Sequence, residues 1–250
     1  GVTAEGNFEG ASILHVSLPL EAVSREVGED AAPLIDAARE LLYAARARRP
    51  APARDDKVIT AWNGLAIAAF ADAGVLLGRE DSVDAAAATA AFVLDALVVD
   101  GRLRRVYADG TAAHLGQLDD HADLCHGLLC LYGATFHPRW LAAAREIAGR
   151  LVELFADPDN GGFFYSGSDG ETLVARTREV EDHPAPSGNS QAAHVLLRLA
   201  DLTGDAALEE LAEGALRVVG GDMPRFPQAF GTALVALDHH LSERHGIAIV

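Results

Sequence analysis

Apolar residues recur along this chain in long runs, and each run follows a short polar segment. The clearest example begins after Pro184 and Pro186, which disfavour a helix immediately upstream. Residues 192–199 then form an almost unbroken apolar stretch, which is typical of a helix buried on most of its faces. Ser187 stands at the start of this stretch and has the hydroxyl group that caps free helical amides. The pattern therefore predicts a helix over 187–202 with a polar entrance.

The same reasoning divides the rest of the chain into helices, two hairpins and irregular ends. Further helices are predicted over 30–48, 60–77, 82–98, 118–135, 138–155, 205–219 and about 228–241. Alternating residues around the Asp109–Gly110 and Asp169–Gly170 turns predict hairpins over 103–115 and 162–176. Residues 1–28 are expected to be irregular, and residues 246–250 to begin a strand.

These elements repeat as a polar entrance, an apolar helix, a tight break and a more amphipathic helix. The helix at 60–77 is apolar on nearly every face, so it belongs to an inner layer. The helix at 138–155 carries charged residues toward solvent, so it belongs to an outer layer. Stacked hairpins with two such layers predict an all-α fold, an (α/α) toroid with short β-hairpin excursions, in one domain over 1–250.

This fold has a consequence for function. If the inner helices run parallel around one axis, their N-terminal ends open on the same side of the toroid. The polar entrances near Asn63, Asp119 and Asn189 would then converge, although they are far apart in sequence. A concave polar site at helix N-termini is suited to a small polar molecule.

The amino-acid composition argues against some classes of binding partner. The net charge is −17 without a stripe of basic residues, which argues against nucleic acid or an anionic membrane as a partner. No uninterrupted apolar run reaches the roughly 18 residues of a membrane span. Cys125 and Cys130 are too badly placed for a disulfide, so we expect a reducing, cytoplasmic environment. The chain opens on Gly1, without an initiator methionine, and we expect it to be a piece of something longer.

Five motifs resemble one protein family. They are GNFEGASIL (6–14), DDKVITAWNGLAIAAFADAG (55–74), LDDHADLCHGLLCLYGATFHPRWL (118–141), NGGFFYS (160–166) and PSGNSQAAHVLLRLADLTGD (186–205). In this order they resemble the YyaL-like group, the spermatogenesis-associated, thioredoxin-domain-containing proteins. The chain departs from the usual pattern of that family at His121, Glu181 and His183.

The resemblance implies an (α/α)6 barrel similar to N-acylglucosamine 2-epimerases and six-hairpin glycosidases. Family members carry a thioredoxin-like domain before the barrel, and the 250 residues do not include it. About four of six hairpins are predicted here, so we expect a partial barrel with open apolar edges that favour self-association. The expected function is a carbohydrate-processing enzyme acting on a small-molecule sugar. The alternative is a non-catalytic binding or scaffold barrel beside a thioredoxin-like domain.

Four residues are candidates for catalysis. Asp119 and Asp120 form a carboxylate pair of the kind used in glycoside chemistry, although both residues are also suited to capping a helix. Glu179 and His183 belong to the densest titratable cluster outside a regular element. Such a loop over a barrel opening often carries function, and the alternative is a solvated acidic loop.

Further residues are candidates for binding the substrate. Amide and hydroxyl groups at the helix entrances are able to hold sugar hydroxyls or to cap the helices, and an indole ring is able to stack on a sugar face or to fill a core. The set consists of Lys57, Trp62, Asn63, His121, Asp182, Ser187 and Asn189. No recognised metal-ligand spacing or nucleotide-binding motif is present, so we expect neither a metal nor another cofactor.

Overall fold

A computed structural model of the protein describes residues 3–171 and 174–243, which divide into two compact units at Asp55–Asp56. The first unit contains α1 (Leu20–Val27) and α2 (Ala32–Ala47). The irregular segment expected over 1–28 therefore ends in a helix of 8 residues. Gly28 terminates this helix at φ 77°, a left-handed conformation that glycine adopts without strain.

The second unit contains the remaining elements. In chain order they are β1 (Val58–Ile59), α3 (Thr60–Leu77), α4 (Glu80–Leu97), β2 (Val98–Val99), β3 (Arg102–Ala108), β4 (Thr111–Leu115), α5 (Leu118–Thr135), α6 (Pro138–Phe155), α7 (Gly188–Thr203), α8 (Ala206–Val219) and α9 (Gly231–Leu241). The predicted helices are confirmed within about two residues, except that α9 begins later. A 3₁₀ turn at Pro227–Ala229 precedes it. The strand predicted over 246–250 lies outside the described residues.

The helices of this unit form two layers. Helices α3, α5, α7 and α9 make an inner row in which each helix packs on the next, while α4, α6 and α8 each pack on the preceding inner helix. Three complete hairpins and a further inner helix are thus present among the described residues, where about four hairpins were predicted. The all-α toroid of helical hairpins is confirmed.

Glycine allows two inner helices to approach closely. A methyl group at Gly64 of α3 would lie 2.4 Å from the carbonyl carbon of Asp123, and one at Gly127 of α5 would lie 2.5 Å from the Gly64 carbonyl oxygen. Both distances are too short for a side chain, so only glycine permits this contact. The contact brings the N-terminal parts of α3 and α5 together.

The predicted first hairpin is confirmed, and the second is not. Strands β3 and β4 pair antiparallel around the Asp109–Gly110 turn, and β1 and β2 also pair with β3. The described part of 162–176 contains no regular strand; Phe163 makes only an isolated bridge with Ala156. The prediction for Thr172 falls outside the described residues. This loop instead wraps onto α5 and α6, with the Tyr165 carbonyl accepting from the Leu118 amide at 3.0 Å.

Helix α3 is 18 residues long with a mean hydropathy of 1.4, so by length and composition alone it could cross a membrane, although Asn63 and Asp72 interrupt its apolar run. In the structure α3 is an inner helix of the toroid, packed on α4 and α5. Ile67 and Ala71 are completely buried in the core. The apolar character of α3 is thus accounted for, in part, by burial against its neighbouring helices.

Candidate active site

The first two turns of α5 hold three carboxyl groups, Asp119, Asp120 and Asp123, which we call the carboxylate cluster. Asp120 is fully buried and accepts hydrogen bonds from the amides of Ala61 at 3.1 Å and Gln117 at 2.9 Å. Burial, helped by the Asp119 carboxylate, raises the pKa of Asp120 to about 6, against the lowering effect of Arg105. Asp120 therefore joins the starts of α3 and α5.

Asp119 is the more accessible carboxylate, with 22% of its side chain exposed. The Arg105 guanidinium, projecting from β3, donates to both Asp119 oxygens at 3.0 and 3.2 Å, and to Asp120 at 2.7 Å. The Tyr165 hydroxyl lies close enough to Asp119 and Arg105 for their charges to affect it. Burial raises the pKa of Tyr165 to about 12, and the Asp119 and Glu179 carboxylates add to this shift. The phenol is therefore neutral and able to donate a hydrogen bond.

Asp123 lies one helical turn after Asp119 and is only 1% exposed. Its Oδ1 atom is buried and has no hydrogen-bond partner among the described residues. Burial raises the pKa of Asp123 to about 8, and the charges of Asp119 and Asp120 raise it further. The group consequently keeps its proton at neutral pH, so the cluster combines a proton donor with a nearby carboxylate.

The cluster continues along α5 as a polar stripe. Asp119, Asp123, His126 and Cys130 are spaced four, three and four residues apart, which places them on one helix face. His126 lines a groove of about 430 Å³, to which all four inner helices contribute residues. We call it the central groove; its lining includes Leu65, His126, His183, Gln191, His194 and Thr232. A larger cavity of about 880 Å³ lies in the first unit, and none of the predicted site residues lines it.

Several predicted binding residues have structural partners. Asn189 is buried; its Nδ2 donates to the carbonyls of Phe163 and Glu179 at 2.9 Å, and its Oδ1 accepts from the Phe163 amide at 2.8 Å. The Ser187 hydroxyl accepts from the Ser190 amide at 3.1 Å, as a helix cap does. Asp182 accepts from the Ser187 amide at 2.9 Å and the Thr232 amide at 2.7 Å, so it joins the starts of α7 and α9.

His121 and Asn63 are also engaged by the protein. His121 is buried. Its Nδ1 atom is 2.7 Å from the Gln117 carbonyl oxygen, and its Nε2 atom is 3.1 Å from Arg102 Nη1. The imidazole ring packs on Phe155. Burial lowers the pKa of His121 to about 4, so its ring is neutral. Asn63 donates to the Ile59 carbonyl at 2.8 Å. Both contacts fit the alternative interpretation, in which these side chains stabilise helix starts.

The remaining predicted residues are accessible. Trp62 is 65% exposed in the first turn of α3, which is not the core position considered from the sequence. Lys57 and Glu179 are exposed, and Glu179 is close enough to influence the Tyr165 hydroxyl. His183 is exposed and lines the central groove. The charges of Glu179 and Asp119 thus both act on the Tyr165 hydroxyl, and His183 lies at the groove.

The sequence-based choice of site residues did not include Arg105, Asp123, Tyr165, His126 and His194. Asp123 and His126 could have been found from their spacing, since polar residues three and four apart on an apolar helix mark one face. Arg105 and Tyr165 come from a strand and a loop. Nothing in the local sequence shows that they approach α5.

One group outside this site has the composition of a metal site. Glu209 and Glu213 of α8 and His240 of α9 bring three possible ligand atoms within 4.8 Å of one another. Glu213 also pairs with Arg217. The group is partly exposed, and acidic groups on surfaces often occur without a metal. We assign no site to it.

The fold is similar to that of several solved sugar-active proteins. An unsaturated glucuronyl hydrolase specific for heparin matches with a TM-score of 0.61 at 16% identity, over 76% of this chain and 61% of that one. A GH76 alpha-mannanase from Bacteroides thetaiotaomicron matches with a TM-score of 0.58 at 14% identity, over 74% of this chain and 53% of the mannanase chain. The cellobiose 2-epimerase from Spirochaeta thermophila matches with a TM-score of 0.55 at 18% identity, over 65% of this chain and 43% of the epimerase chain. The chain therefore shares the (α/α)-toroid fold of these glycosidases and epimerases.

The sequence relatives identify the family. Spermatogenesis-associated protein 20 of Mus musculus is 36% identical over 213 residues, which is 80% of this chain and 27% of the mouse protein. The protein of that name in Homo sapiens is 33% identical over 247 residues, 93% of this chain and 31% of its own length. The chain belongs to the spermatogenesis-associated protein 20 family, and spans less than a third of the length of these relatives. No protein-family model matches it.

Proposed function

We propose that the protein is a carbohydrate-processing enzyme that binds a sugar at the N-terminal ends of its inner helices. The observation that carries this proposal is the contrast between Asp119 and Asp123. Asp119 is accessible and paired with Arg105, whereas Asp123 is buried and holds a proton. A buried carboxyl group with a raised pKa, close to an accessible carboxylate, is typical of acid–base and glycoside chemistry.

The individual roles follow from the accessibility of Asp119 and from the raised pKa of Asp123. Asp119 contacts the reacting part of the sugar as a carboxylate, and Asp123 supplies the proton. Asp120 and Arg105 hold the pair in position, because Asp120 is fully buried and bound by backbone amides. Glu179 acts on the cluster through Tyr165. In the central groove His183 and Gln191 offer hydrogen bonds to sugar hydroxyls, and the exposed Trp62 offers a stacking surface.

Turnover assays test this proposal. The purified chain would be incubated with disaccharides, short oligosaccharides and N-acylated amino sugars, and the products separated by chromatography. A cleaved glycoside would identify a hydrolase, and a sugar changed at one carbon would identify an epimerase. We expect Asp119→Asn and Asp123→Asn each to lower kcat by roughly 10²–10⁴-fold, the usual contribution of a general acid or base.

The control is Asp95→Asn, which removes an exposed carboxylate of α4 and should leave turnover unchanged. If a sugar raises the thermal midpoint but no product forms, the protein is a binding module beside a thioredoxin-like domain. If Asp119→Asn and Asp123→Asn keep full turnover, the carboxylate cluster is not the reaction centre.

Two further parts of the proposal concern the surroundings of the protein. Cys125 and Cys130 are buried free thiols, which fits a cytoplasmic location.

The exposed apolar side chains of α3, such as Phe70, Leu76 and Leu77, form an edge that favours self-association. Sedimentation over a range of concentrations would show a dimer if this edge is used, and a monomer throughout if it is not.

A further inference from the structure

Polar residues of α7 form a second stripe that faces α5. Gln191, His194 and Arg198 are spaced three and four residues apart, so they share one face of the helix. Gln191 and His194 line the central groove, as His126 does from α5. The His126 and His194 rings lie 5.5 Å apart between centroids. Arg198 follows His194 by one helical turn, and its guanidinium contacts His126, which lines the groove.

In the part of the chain that the structure describes, the partly buried Arg198 guanidinium has no direct carboxylate partner. Its Nη1 atom lies 3.3 Å from His126 Nδ1 and 3.4 Å from Cys130 Sγ, and both neighbours are neutral groups. Among the described residues, no carboxylate oxygen forms an ion pair with Arg198. The nearby acids have other partners: Asp201 bonds to His239 at 2.8 Å, and Asp72 acts on the Cys130 thiol. A partly buried cation without a counter-charge is costly unless an anion compensates it.

The histidines around Arg198 are neutral. Burial, reinforced by the Arg198 charge, lowers the pKa of His126 to about 3 and that of His194 to about 4. Because a guanidinium group only donates, His126 must accept through Nδ1, and its hydrogen is then on Nε2. The Nε2–H group then lies 4.0 Å from Cys130 Sγ, which is a weak acceptor. The arrangement therefore combines one positive charge with two neutral imidazole rings and a neutral thiol.

We propose that the central groove, beside His126, binds an anionic group of the sugar, with Arg198 as its main partner. This inference rests on the proposed function and narrows its substrate class to acidic sugars. The anionic group is an oxyanion such as the carboxylate of a uronic acid or the phosphate of a sugar phosphate. Two oxygens of either group match the parallel donors of a guanidinium. His126 and His194 assist as neutral hydrogen-bonding groups.

Binding measurements test the inference. Glucuronate, glucose 6-phosphate, glucose and inorganic phosphate would be titrated into the wild-type chain by calorimetry, with the thermal midpoint as a second readout. We expect one of the two acidic sugars to bind more tightly than glucose by roughly tenfold or more, the value of one charge-assisted contact. The better of the two identifies the anionic group as a carboxylate or a phosphate.

Variants assign the preference to Arg198. Arg198→Gln should remove the preference for the acidic sugar and leave glucose affinity unchanged, and Arg198→Lys should restore part of it. Arg150→Gln, on the outer face of α6, is the matched control because it removes a charge that pairs with Glu153. Circular dichroism would confirm folding, and the wild-type comparison does not depend on any variant.

The outcomes separate the two proposals. If glucose and the acidic sugars bind equally, or the preference survives in Arg198→Gln, the anion site is wrong while a sugar site remains. If inorganic phosphate binds as well as either acidic sugar, the anion site is not part of a sugar site and the inference fails. If no sugar binds at all, both proposals fail for this chain.

Discussion

Replacing Asp123 with asparagine is expected to stabilise the protein at neutral pH. The pKa of Asp123 is 3.8 in its ordinary state and about 8 in the folded protein, because the carboxyl group is buried next to Asp119 and Asp120. Between these two values the unfolded chain has lost the proton and the folded chain keeps it. The folded state binds more protons, so the contribution of Asp123 to stability falls as the pH rises through this window.

The size of the effect follows from the shift. Each pH unit above 3.8 costs about 1.4 kcal/mol, so the penalty is about 2 kcal/mol at pH 5 and about 4 kcal/mol at pH 7. Asparagine has nearly the same shape and no proton to lose. The free energy of unfolding of Asp123→Asn should therefore exceed that of the wild type by an amount that grows by about 2–3 kcal/mol from pH 5 to pH 7.

The assay is urea denaturation followed by circular dichroism at pH 5, 6 and 7, for the wild type and Asp123→Asn. Asp95→Asn is the control for removing a charge from an exposed position, and it should show no such growth with pH. Buried histidines such as His121 make the stability rise with pH in the same range, but they are common to all three proteins. A difference between Asp123→Asn and the wild type that stays constant from pH 5 to pH 7 would refute a protonated Asp123.

Two further substitutions test the packing beneath the site. Gly64→Ala places a methyl group 2.4 Å from a backbone atom of Asp123, so it should lower the free energy of unfolding by about 1–3 kcal/mol, measured by urea denaturation. The matched change Gly133→Ala, at a glycine of α5 with open space around it, should instead raise it by about 0.5–1 kcal/mol; equal effects would contradict the close contact. Asn189→Ala should lower the thermal midpoint even without ligand, because it leaves the buried Phe163 amide unpaired at a cost of about 1–3 kcal/mol. An unchanged midpoint together with lost sugar binding would instead make Asn189 a ligand contact.

Local sequence determined the helices and their layers. Their ends are marked by residues with local effects, such as Pro138 near the start of α6 and Gly204 after α7, which adopts φ 73°. The apolar faces of α3 and α7 identified them as inner helices, since only burial makes such surfaces favourable in water. Helix propensity and capping act within a few residues. These features could therefore be predicted without knowledge of the fold.

The sequence did not determine which polar side chains face a ligand and which stabilise the fold. Asn189 and Asp119 occupy similar positions at helix starts, yet Asn189 is buried against the Phe163 loop and Asp119 is partly exposed. The pKa of Asp123 depends on burial by α3 at Gly64 and on neighbouring carboxylates, and Arg105 reaches α5 only because β3 lies over it. Desolvation and charge interactions act through space between distant segments. For this reason only the tertiary structure decides which side chains make up the candidate site.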